Sequence, residues 1–353
     1  MADAQDPFRG LVCPVPLPAG DHVLLGHGSG GKLSADLVRE VFLAAFRNPV
    51  LERMDDQAVV AVDGVRLAFT TDTFVVKPLF FPGGDIGSLA VHGTVNDLAM
   101  GGARPLCLSA AFLIEEGLPM ETLRRVTASL QRAASDAGVP IVTGDTKVVE
   151  KGSADGLFIN TSGIGVVPEG VHLSADRPRP GDHILINGPI GDHGIAIMAH
   201  REGLEFDTLL ESDSAALHTL VAVMLGASAE IRCLRDPTRG GVSSALNEIA
   251  AQARVGIEID ERAIPVREEV RGACELLGLD PLYVANEGKL VAIVAPESAE
   301  RVLEAMRRHP LGTQSRRIGK VTAEHPRLVT MRTLIGPTRV VDMLAGDQLP
   351  RIC

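Results

Sequence analysis

Short apolar segments that run into glycine-rich turns and then into helical patterns recur in both halves of this 353-residue chain. HVLLG (22–26) predicts a strand, and the apolar spacing over 34–47 predicts a helix with Ser34 as its N-cap. In the second half, ILINGPIGDHG repeats the order of strand, glycine turn and helix. A Pro-rich polar stretch at 174–182 separates the halves. This organisation predicts a two-domain α/β (α+β) fold.

Turn residues and periodicity predict the remaining elements. Asp63-Gly64, between two apolar runs, predicts a type I′ hairpin whose second strand ends at Asp72. Helices are predicted at 87–102, 119–137 and 243–253, and strands at 106–113, 139–143 and 157–167 and in VGIEID and LYVANEGKLVAIV. The predicted divisions are a Pro-rich arm at 1–20, a first domain at 21–173, a second domain at 174–344 and a tail at 345–353.

Composition excludes several classes of function. The formal net charge of −11, without any Lys/Arg run, disfavours binding to nucleic acid. No apolar stretch reaches the roughly 18–20 residues that a membrane span needs, and no signal peptide is visible, so a cytoplasmic protein is expected. Five cysteines without a CxxC pair predict neither a zinc cage nor a disulfide framework; they are Cys13, Cys107, Cys233, Cys274 and Cys353.

The glycine-rich segment GHGSGGK (26–32) lies between a predicted strand and a predicted helix, the usual context of a phosphate-binding loop. Gly26, Gly31 and Lys32 have Walker A spacing, but Leu33 lacks the hydroxyl that would reach a nucleotide's magnesium. The segment alone leaves a phosphate-binding loop and a flexible turn as equal alternatives.

Several aspartates lie at predicted strand ends, in loops or beside glycine. Carboxylates gathered in such places hold the magnesium ions that clamp a triphosphate. Taken singly, each is better explained as a turn former or a helix cap. The residues are Asp55, Asp56, Asp72, Asp97, Asp145 and Asp236.

Four segments carry a family resemblance: TDTFVVKPLFFPGGDIGSLAVHGTVNDLAMGGARP (71–105), TGDTKVV (143–149), RDPTRGG (235–241) and ANEG (285–288). Together they resemble the aminoimidazole-ribonucleotide-synthetase (PurM-like) superfamily, and within it the carbamoyl dehydratases of hydrogenase maturation. The resemblance extends over about 22–353 and includes the terminal PRIC. It implies an ATP-binding and dimerisation domain with a barrel-forming β-sheet, an α+β second domain and a flexible tail.

The resemblance also implies a reaction. Cys353 would receive a carbamoyl group, ATP would phosphorylate its oxygen, and loss of phosphate would leave a thiocyanate that supplies cyanide to the iron of [NiFe]-hydrogenase. The implied cofactors are ATP and Mg2+. The implied partners are a second copy of the chain, the carbamoyltransferase HypF and the HypC–HypD scaffold complex.

Residue roles follow from the chemistry of this implied reaction. The expected catalytic residues are Cys353, the base Glu287 and its neighbour Lys147. The expected metal ligands are Asp72, Asp97, Asp145 and Asp236. The expected nucleotide contacts add Gly28, Gly30, Gly31, Lys32, Asp56, Thr71, His92, Asn96, Gly144 and Thr238. A salt-bridged carboxylate is the alternative for Glu287, and a structural histidine is an equal alternative for His92.

A cysteine as last residue has a plain alternative, an exposed thiol on a frayed tail. Pro350 stiffens the tail and Arg351 can stabilise a thiolate, whereas the terminal carboxylate raises the thiol pKa. Two rival functions stay open. One is another enzyme of the superfamily, of the selenophosphate synthetase or thiamine-monophosphate kinase type. The other is a non-catalytic, ATP-binding assembly partner whose tail only docks.

Overall fold

The computed structural model describes residues 22–203, 210–346, 349 and 351–353. The described first half begins with a helix of two α segments, α1 (Lys32–Leu37) and α2 (Ala44–Phe46). The elements that follow are β1 (Ala58–Val62), β2 (Val65–Phe74), β3 (Phe80–Phe81), β4 (Gly84–Asp85), α3 (Ile86–Met100), β5 (Arg104–Glu115), α4 (Met120–Asp136), β6 (Ile141–Val149) and β7 (Leu157–Val166). A π-helical turn, Val38–Leu43, joins α1 to α2.

Five of these strands form a sheet in the order β1-β2-β7-β5-β6. Asp63 and Gly64 both have positive φ angles, 49° and 82°, which confirms the predicted tight hairpin between β1 and β2. Helices α3 and α4 pack on one face of the sheet, where Leu89 and Val126 join a fully buried apolar cluster. The opposite face leaves large apolar side chains exposed, among them Phe69 and its cross-strand partner Ile164.

The second half contains a seven-stranded sheet in the order β14-β13-β10-β12-β8-β11-β9. Its elements are β8 (His183–Ile186), α5 (Asp192–Glu202), α6 (His218–Ala227), β9 (Ile231–Arg235), α7 (Gly241–Ala253), β10 (Gly256–Asp260), α8 (Glu268–Leu277), β11 (Val291–Val294), α9 (Pro296–Arg308), β12 (Arg316–Thr322), β13 (Val329–Arg332) and β14 (Thr338–Val340). Alternate residues of β8 face opposite sides. Ile184 and Ile186 pack with α7, and Leu185 packs with α6 and α9. We propose the domain boundary in the connection at 174–182.

The two halves share buried clusters. Ala99 and Met100, at the end of α3, pack with Leu220 of α6. Ile197 of α5 and Ala285 pack with the core of the first half. Helix α3, which packs on the first sheet, thus also contacts α6 and β9 of the second half, and the site described below lies beside it.

Three sequence predictions are wrong in detail. HVLLG does not form a strand, because Leu25–Gly28 is a 3-10 turn. Val23 is exposed, and none of the described strands pairs with this segment. The next helix starts at Lys32 after the N-cap Gly31, and Ser34 instead accepts a hydrogen bond from Gly30 N. In the segment predicted as one long strand, only Val291–Val294 is a strand. Within the described ranges, no helix has the length and apolar character to cross a membrane.

Candidate active site between the two halves

An acidic cavity of about 230 Å³ lies between the two sheets. Asp72 is near the end of β2, Asp97 is in α3 and Asp236 directly follows β9. The cavity is lined by Asp56, Thr71, Asp72, Gly93, Asp97, Asp236, Thr238, Arg239, Glu287 and Cys353. Segments that are distant in sequence thus bring five carboxylates and the terminal cysteine to one place.

Gly93 allows α3 to approach β2 closely. A Cβ atom at this position would lie 2.7 Å from the ring of Phe74, a contact that real Cβ atoms do not make. Asp97 is one helical turn further on the same face of α3, and Thr70 of β2 donates a 2.7 Å hydrogen bond to its carboxylate. The close approach of α3 to β2 that Gly93 allows therefore determines the position of the Asp97 carboxylate.

The carboxylates of the cavity resist ionisation. Burial and the neighbouring charges of Asp236, Asp72 and Asp56 hold the pKa of Asp97 well above its usual value. Burial, followed by the charges of Asp56 and Asp72, raises the pKa of Asp236 to about 8. Mutual repulsion of this kind is relieved by a bound cation, so the cluster favours a positively charged ligand.

The donor set fits magnesium held together with a nucleotide. Oxygen ligands are those that Mg2+ prefers, and Oε1 of Glu287 is buried without a hydrogen-bond partner among the described residues. In the same part of the chain, no three His, Cys, Asp or Glu side chains are close enough to hold a metal ion alone. Mg2+ commonly binds through one or two carboxylates plus substrate phosphates, which is the arrangement that this geometry allows.

Two arginines offset the negative charge. Arg235 Nη1 lies 2.8 Å from Asp56 Oδ1 in a largely buried ion pair. Arg239 donates to the carbonyl of Gly28 over 3.0 Å. Arg239 lines the cavity together with Cys353 and Glu287. Its electrostatic interactions with Cys353, then with Asp72 and Glu287, raise the pKa of Arg239.

The C-terminal tail enters the cavity. Val75 N donates to the terminal carboxylate of Cys353 over 3.0 Å, and Lys77 N donates to the carbonyl of Arg351 over 3.1 Å. Ile352 is 3% exposed. Burial raises the pKa of the Cys353 thiol to about 12, Arg239 opposes that rise, and the charges of Glu287, Asp72 and Asp236 add to it. The cavity therefore disfavours ionisation of the docked thiol, which remains partly exposed.

The Arg351 side chain does not stabilise the thiol. Its guanidinium pairs with Asp155, its Nε donates to Val75 O over 2.9 Å, and it stacks over the ring of Phe158. Arg351 thus anchors the tail, and Arg239 is the arginine beside the sulfur. Pro350 lies outside the described residues.

The glycine-rich loop packs against the DPTRGG segment. A Cβ atom on Gly30 would lie 2.5 Å from the carbonyl oxygen of Arg239, and one on Gly31 would lie 2.2 Å from that of Leu344. Gly30 lines two further cavities, of about 190 and 330 Å³, which share Arg235 and Glu248. Lys32 N donates to Leu344 O, and Lys32 Nζ pairs with Asp342. The loop therefore borders open space next to the acidic cavity, but the Lys32 side chain is engaged elsewhere.

Comparison with known proteins agrees with this arrangement. Residues 54–167 match the N-terminal domain, and residues 179–330 the C-terminal domain, of the AIR synthase related protein family. The carbamoyl dehydratase HypE of Azotobacter vinelandii is 60% identical over 327 residues, which cover 93% of this chain and 96% of that protein. The chain belongs to the HypE family of carbamoyl dehydratases.

Solved HypE structures have the same fold. The structure titled as a HypE–HypF complex has a TM-score of 0.83 and 52% identity, covering 87% of this chain and 99% of that chain. A HypE structure in complex with ATP has a TM-score of 0.80 and 50% identity, covering 94% of this chain and all of that one. These findings confirm the predicted two-domain PurM-like fold of this HypE family member.

Three of the predicted HypE site residues that lie outside the cavity are on one edge strand. Asp145, its neighbour Gly144 and Lys147 are on β6, the edge strand of the first sheet. Lys147 Nζ pairs with Asp145 Oδ2 over 2.8 Å, and both side chains are exposed. Within one chain they join neither Glu287 nor the other aspartates, because the edge strand faces outward.

His92 and Asn96 have structural roles in this HypE chain. His92 Nδ1 lies 2.9 Å from Ser214 Oγ. The buried Asn96 amide donates to the carbonyls of Ala215 and Glu287 and accepts from Leu217 N, so its hydrogen-bonding capacity is largely used. Neither residue lines the acidic cavity, and nucleotide contacts of His92 and Asn96 stay a prediction. Asn96 instead holds the backbone of the predicted base.

Arg239 is the site residue that sequence reasoning missed. Arg239 lies inside the RDPTRGG motif, of which only Asp236 and Thr238 are predicted site residues. The available signal is a cation three residues after the predicted metal ligand Asp236 and next to a glycine pair, where the backbone turns sharply.

Proposed function

We propose that this protein catalyses the ATP-dependent dehydration of a carbamoyl group carried on the Cys353 thiol, giving a thiocyanate that supplies cyanide ligands for the iron of [NiFe]-hydrogenase. The observation that carries the proposal is the position of Cys353, which lines the acidic cavity together with Arg239 and Glu287. A thiol at this place can present a bound carbamoyl group to a nucleotide held by the carboxylates.

We propose that Asp72, Asp97 and Asp236 hold Mg2+ and the nucleotide phosphates, with Thr71, Thr238 and the Gly28, Gly30 and Gly31 backbone beside them. When bound, Mg-ATP supplies the phosphoryl group that turns the carbamoyl oxygen into a good leaving group. The overall change balances: S–CO–NH₂ and ATP give S–C≡N, ADP, phosphate and one released proton. The carbamoyl oxygen leaves in the phosphate, and both protons leave the nitrogen.

We assign the removal of nitrogen protons to Glu287. Its side chain is 2% exposed, and burial followed by the charges of Asp236, Asp72 and Asp213 holds its pKa well above the ordinary value. Cations bound at Asp72 and Asp236 would remove much of that repulsion and lower the pKa toward the range in which a carboxylate acts as a base at neutral pH. The base would thus be activated only when the site is loaded.

Arg239 is proposed to stabilise the negative charge that develops on the carbamoyl group. Its guanidinium is next to the sulfur, Asp72 and Glu287, and a preorganised cation in a partly desolvated site is worth more than one in water. This role needs no movement of the arginine, since its contact with Gly28 O already fixes its position.

We propose a homodimer in which a second copy brings Asp145 and Lys147 to the site. The outer face of the first sheet supports this, because it exposes Phe69 and Ile164, which pair across the neighbouring strands β2 and β7. Large apolar side chains exposed together on a sheet face mark an interaction surface. Lys147 would then lie near Glu287 of the other chain, as the transferred roles require.

We further propose that HypF loads the carbamoyl group and that a HypC–HypD scaffold accepts the cyanide. Both steps require the thiol to leave a cavity of about 230 Å³, which no protein donor enters. The described tail contacts are several hydrogen bonds, the ion pair of Arg351 and the packing of Ile352 in a buried apolar cluster, and we propose that they release reversibly.

Intact-protein and peptide mass spectrometry test the proposal. After incubation with a carbamoyl donor system, the C-terminal peptide should gain one carbamoyl group, and addition of Mg-ATP should remove one water from it. Cys353→Ser is the matched control and should show neither change. ATP turnover with an unmodified C-terminal peptide would contradict the proposal and favour a kinase-type enzyme. Nucleotide binding without turnover would favour the assembly partner.

A further inference from the structure

The GDHG segment at 191–194 begins α5 and buries a histidine next to the tail. Gly191 has a φ angle of 89°, and a Cβ atom on Gly194 would lie 2.5 Å from the Val284 side chain. Both glycines therefore let the start of α5 pack directly under the loop that carries Glu287. His193 is fully buried there.

The ring of His193 is held on all sides. Nε2 lies 2.9 Å from the carbonyl oxygen of Ile352, Nδ1 lies 2.7 Å from Ser212 Oγ, and Phe81 packs edge-on at 5.7 Å. A carbonyl only accepts hydrogen bonds, so Nε2 carries the proton. The neutral ring then accepts from the Ser212 hydroxyl at Nδ1, and Ser212 Oγ accepts in turn from Ser214 N.

The last three carbonyls of the tail face alternate sides. Those of Arg351 and Cys353 accept from Lys77 N and Val75 N on one side, as in a β-ladder. The carbonyl of Ile352 points the other way, into buried surroundings, where His193 is its donor. A buried carbonyl needs a donor, so the docked tail depends on this contact.

The residue that contacts the His193 ring is next in sequence to the residue that holds the backbone of Glu287. Asp213, the residue after Ser212, accepts from Glu287 N over 3.1 Å and forms a buried ion pair with Lys289 over 2.8 Å. One short segment thus fixes both the tail, through the histidine, and the Glu287 backbone.

We propose that His193 is a positioning residue that latches the docked tail through the Ile352 carbonyl and sets the Cys353 sulfur in register with Glu287 and Arg239. The proposal rests on the proposed function, because positioning the sulfur matters only if the thiol carries the substrate. A histidine that merely filled the core would contribute to stability alone.

The test compares His193→Leu with His193→Gln. Glutamine keeps an N–H donor near the position of Nε2, whereas leucine keeps volume and loses the donor. Alkylation of Cys353 is followed by mass spectrometry of the C-terminal peptide, with the Cys107 peptide as internal reference. Leucine should raise the Cys353 rate about tenfold, because a buried carbonyl loses its donor, and glutamine should restore protection. Equal protection in wild type, leucine and glutamine variants would overturn the latch.

A second variant and a spectroscopic signature guard against misfolding of the leucine variant. Ser212→Ala keeps the ring and removes the group that selects its tautomer, so it should give intermediate protection. The ¹⁵N NMR signals of His193 should show a protonated Nε2 in the full chain and an altered pattern in a chain that lacks Ile352 and Cys353. An unchanged pattern would contradict the proposal. Alkylation needs no turnover, so failure of the proposed function, seen as no nitrile in wild type, is distinguishable from failure of the latch.

Discussion

Asp236→Asn should stabilise the protein when magnesium and nucleotide are absent. The same substitution should weaken the binding of both ligands. Asp236 is 9% exposed and lines both the acidic cavity and its neighbour. Burial, then the charges of Asp56 and Asp72, raises its pKa from 3.8 to about 8. Between these values the folded protein holds a proton that the unfolded chain has released, so the free energy of unfolding falls as pH rises from about 4 to about 8.

The magnitude follows from the same two values. At about 1.4 kcal/mol for each pH unit in that interval, the loss is at most about 6 kcal/mol. The effective dielectric constant inside real proteins reduces this, and we expect about 2–4 kcal/mol at pH 8. Asparagine has nearly the same shape and carries no charge, so the variant should escape the loss. At pH 5 the two proteins should differ little.

Thermal unfolding in chelator at pH 5, 6, 7 and 8 measures this difference. The variant should unfold several degrees higher than wild type at pH 8, and Mg-ATP should stabilise wild type more than the variant. Asp63→Asn is the matched control: Asp63 is exposed in the β1–β2 turn, and asparagine tolerates its positive φ. Parallel stability curves for wild type and Asp236→Asn from pH 5 to 8 would refute the reasoning.

Three further predictions concern the same cavity. Gly93→Ala should destabilise the protein by about 1–3 kcal/mol in urea unfolding, because the new Cβ meets the Phe74 ring. The control Gly226→Ala, on an open helix face, should be neutral or stabilising. Equal effects of the two substitutions would contradict this prediction. Glu287→Gln should bind ATP but slow single-turnover dehydration by about 10²–10⁴-fold, and an unchanged rate would exclude it as the base. Arg239→Gln should lower the same rate by about 10–10³-fold with partial recovery in Arg239→Lys, and full activity in both would exclude charge stabilisation.

Local signals predicted the elements that local physics controls. Asp63-Gly64 specified its hairpin because two positive φ angles suit these residues. The helix that contains Asp97 was found by its apolar periodicity, and it ends at Gly101 as its glycine pair suggested. By contrast, the apolar run at 22–26 looks like a strand, but a strand needs a neighbour to pair with, and sequence does not state whether one exists.

The sequence did not predict the roles of residues whose contacts are distant along the chain. Asn96 is predicted as a nucleotide contact, yet its amide joins segments more than a hundred residues away. Arg351 looked suited to the adjacent thiol, yet the tail turns its side chain toward Asp155, and Arg239 takes the place beside the sulfur. Asp145 and Lys147 are on an outward-facing edge strand, and no pattern within one chain reveals what covers that strand.

A crystal structure of the Cys353-carbamoylated protein with Mg2+ and a non-hydrolysable ATP analogue tests the central claim most directly. We expect the carbamoyl oxygen within about 3.5 Å of the γ-phosphorus, in line for transfer, with Glu287 near the carbamoyl nitrogen and Ile352 O still bound to His193. A carbamoylated Cys353 lying outside the cavity, while the nucleotide occupies it and the preparation remains active, would contradict the account.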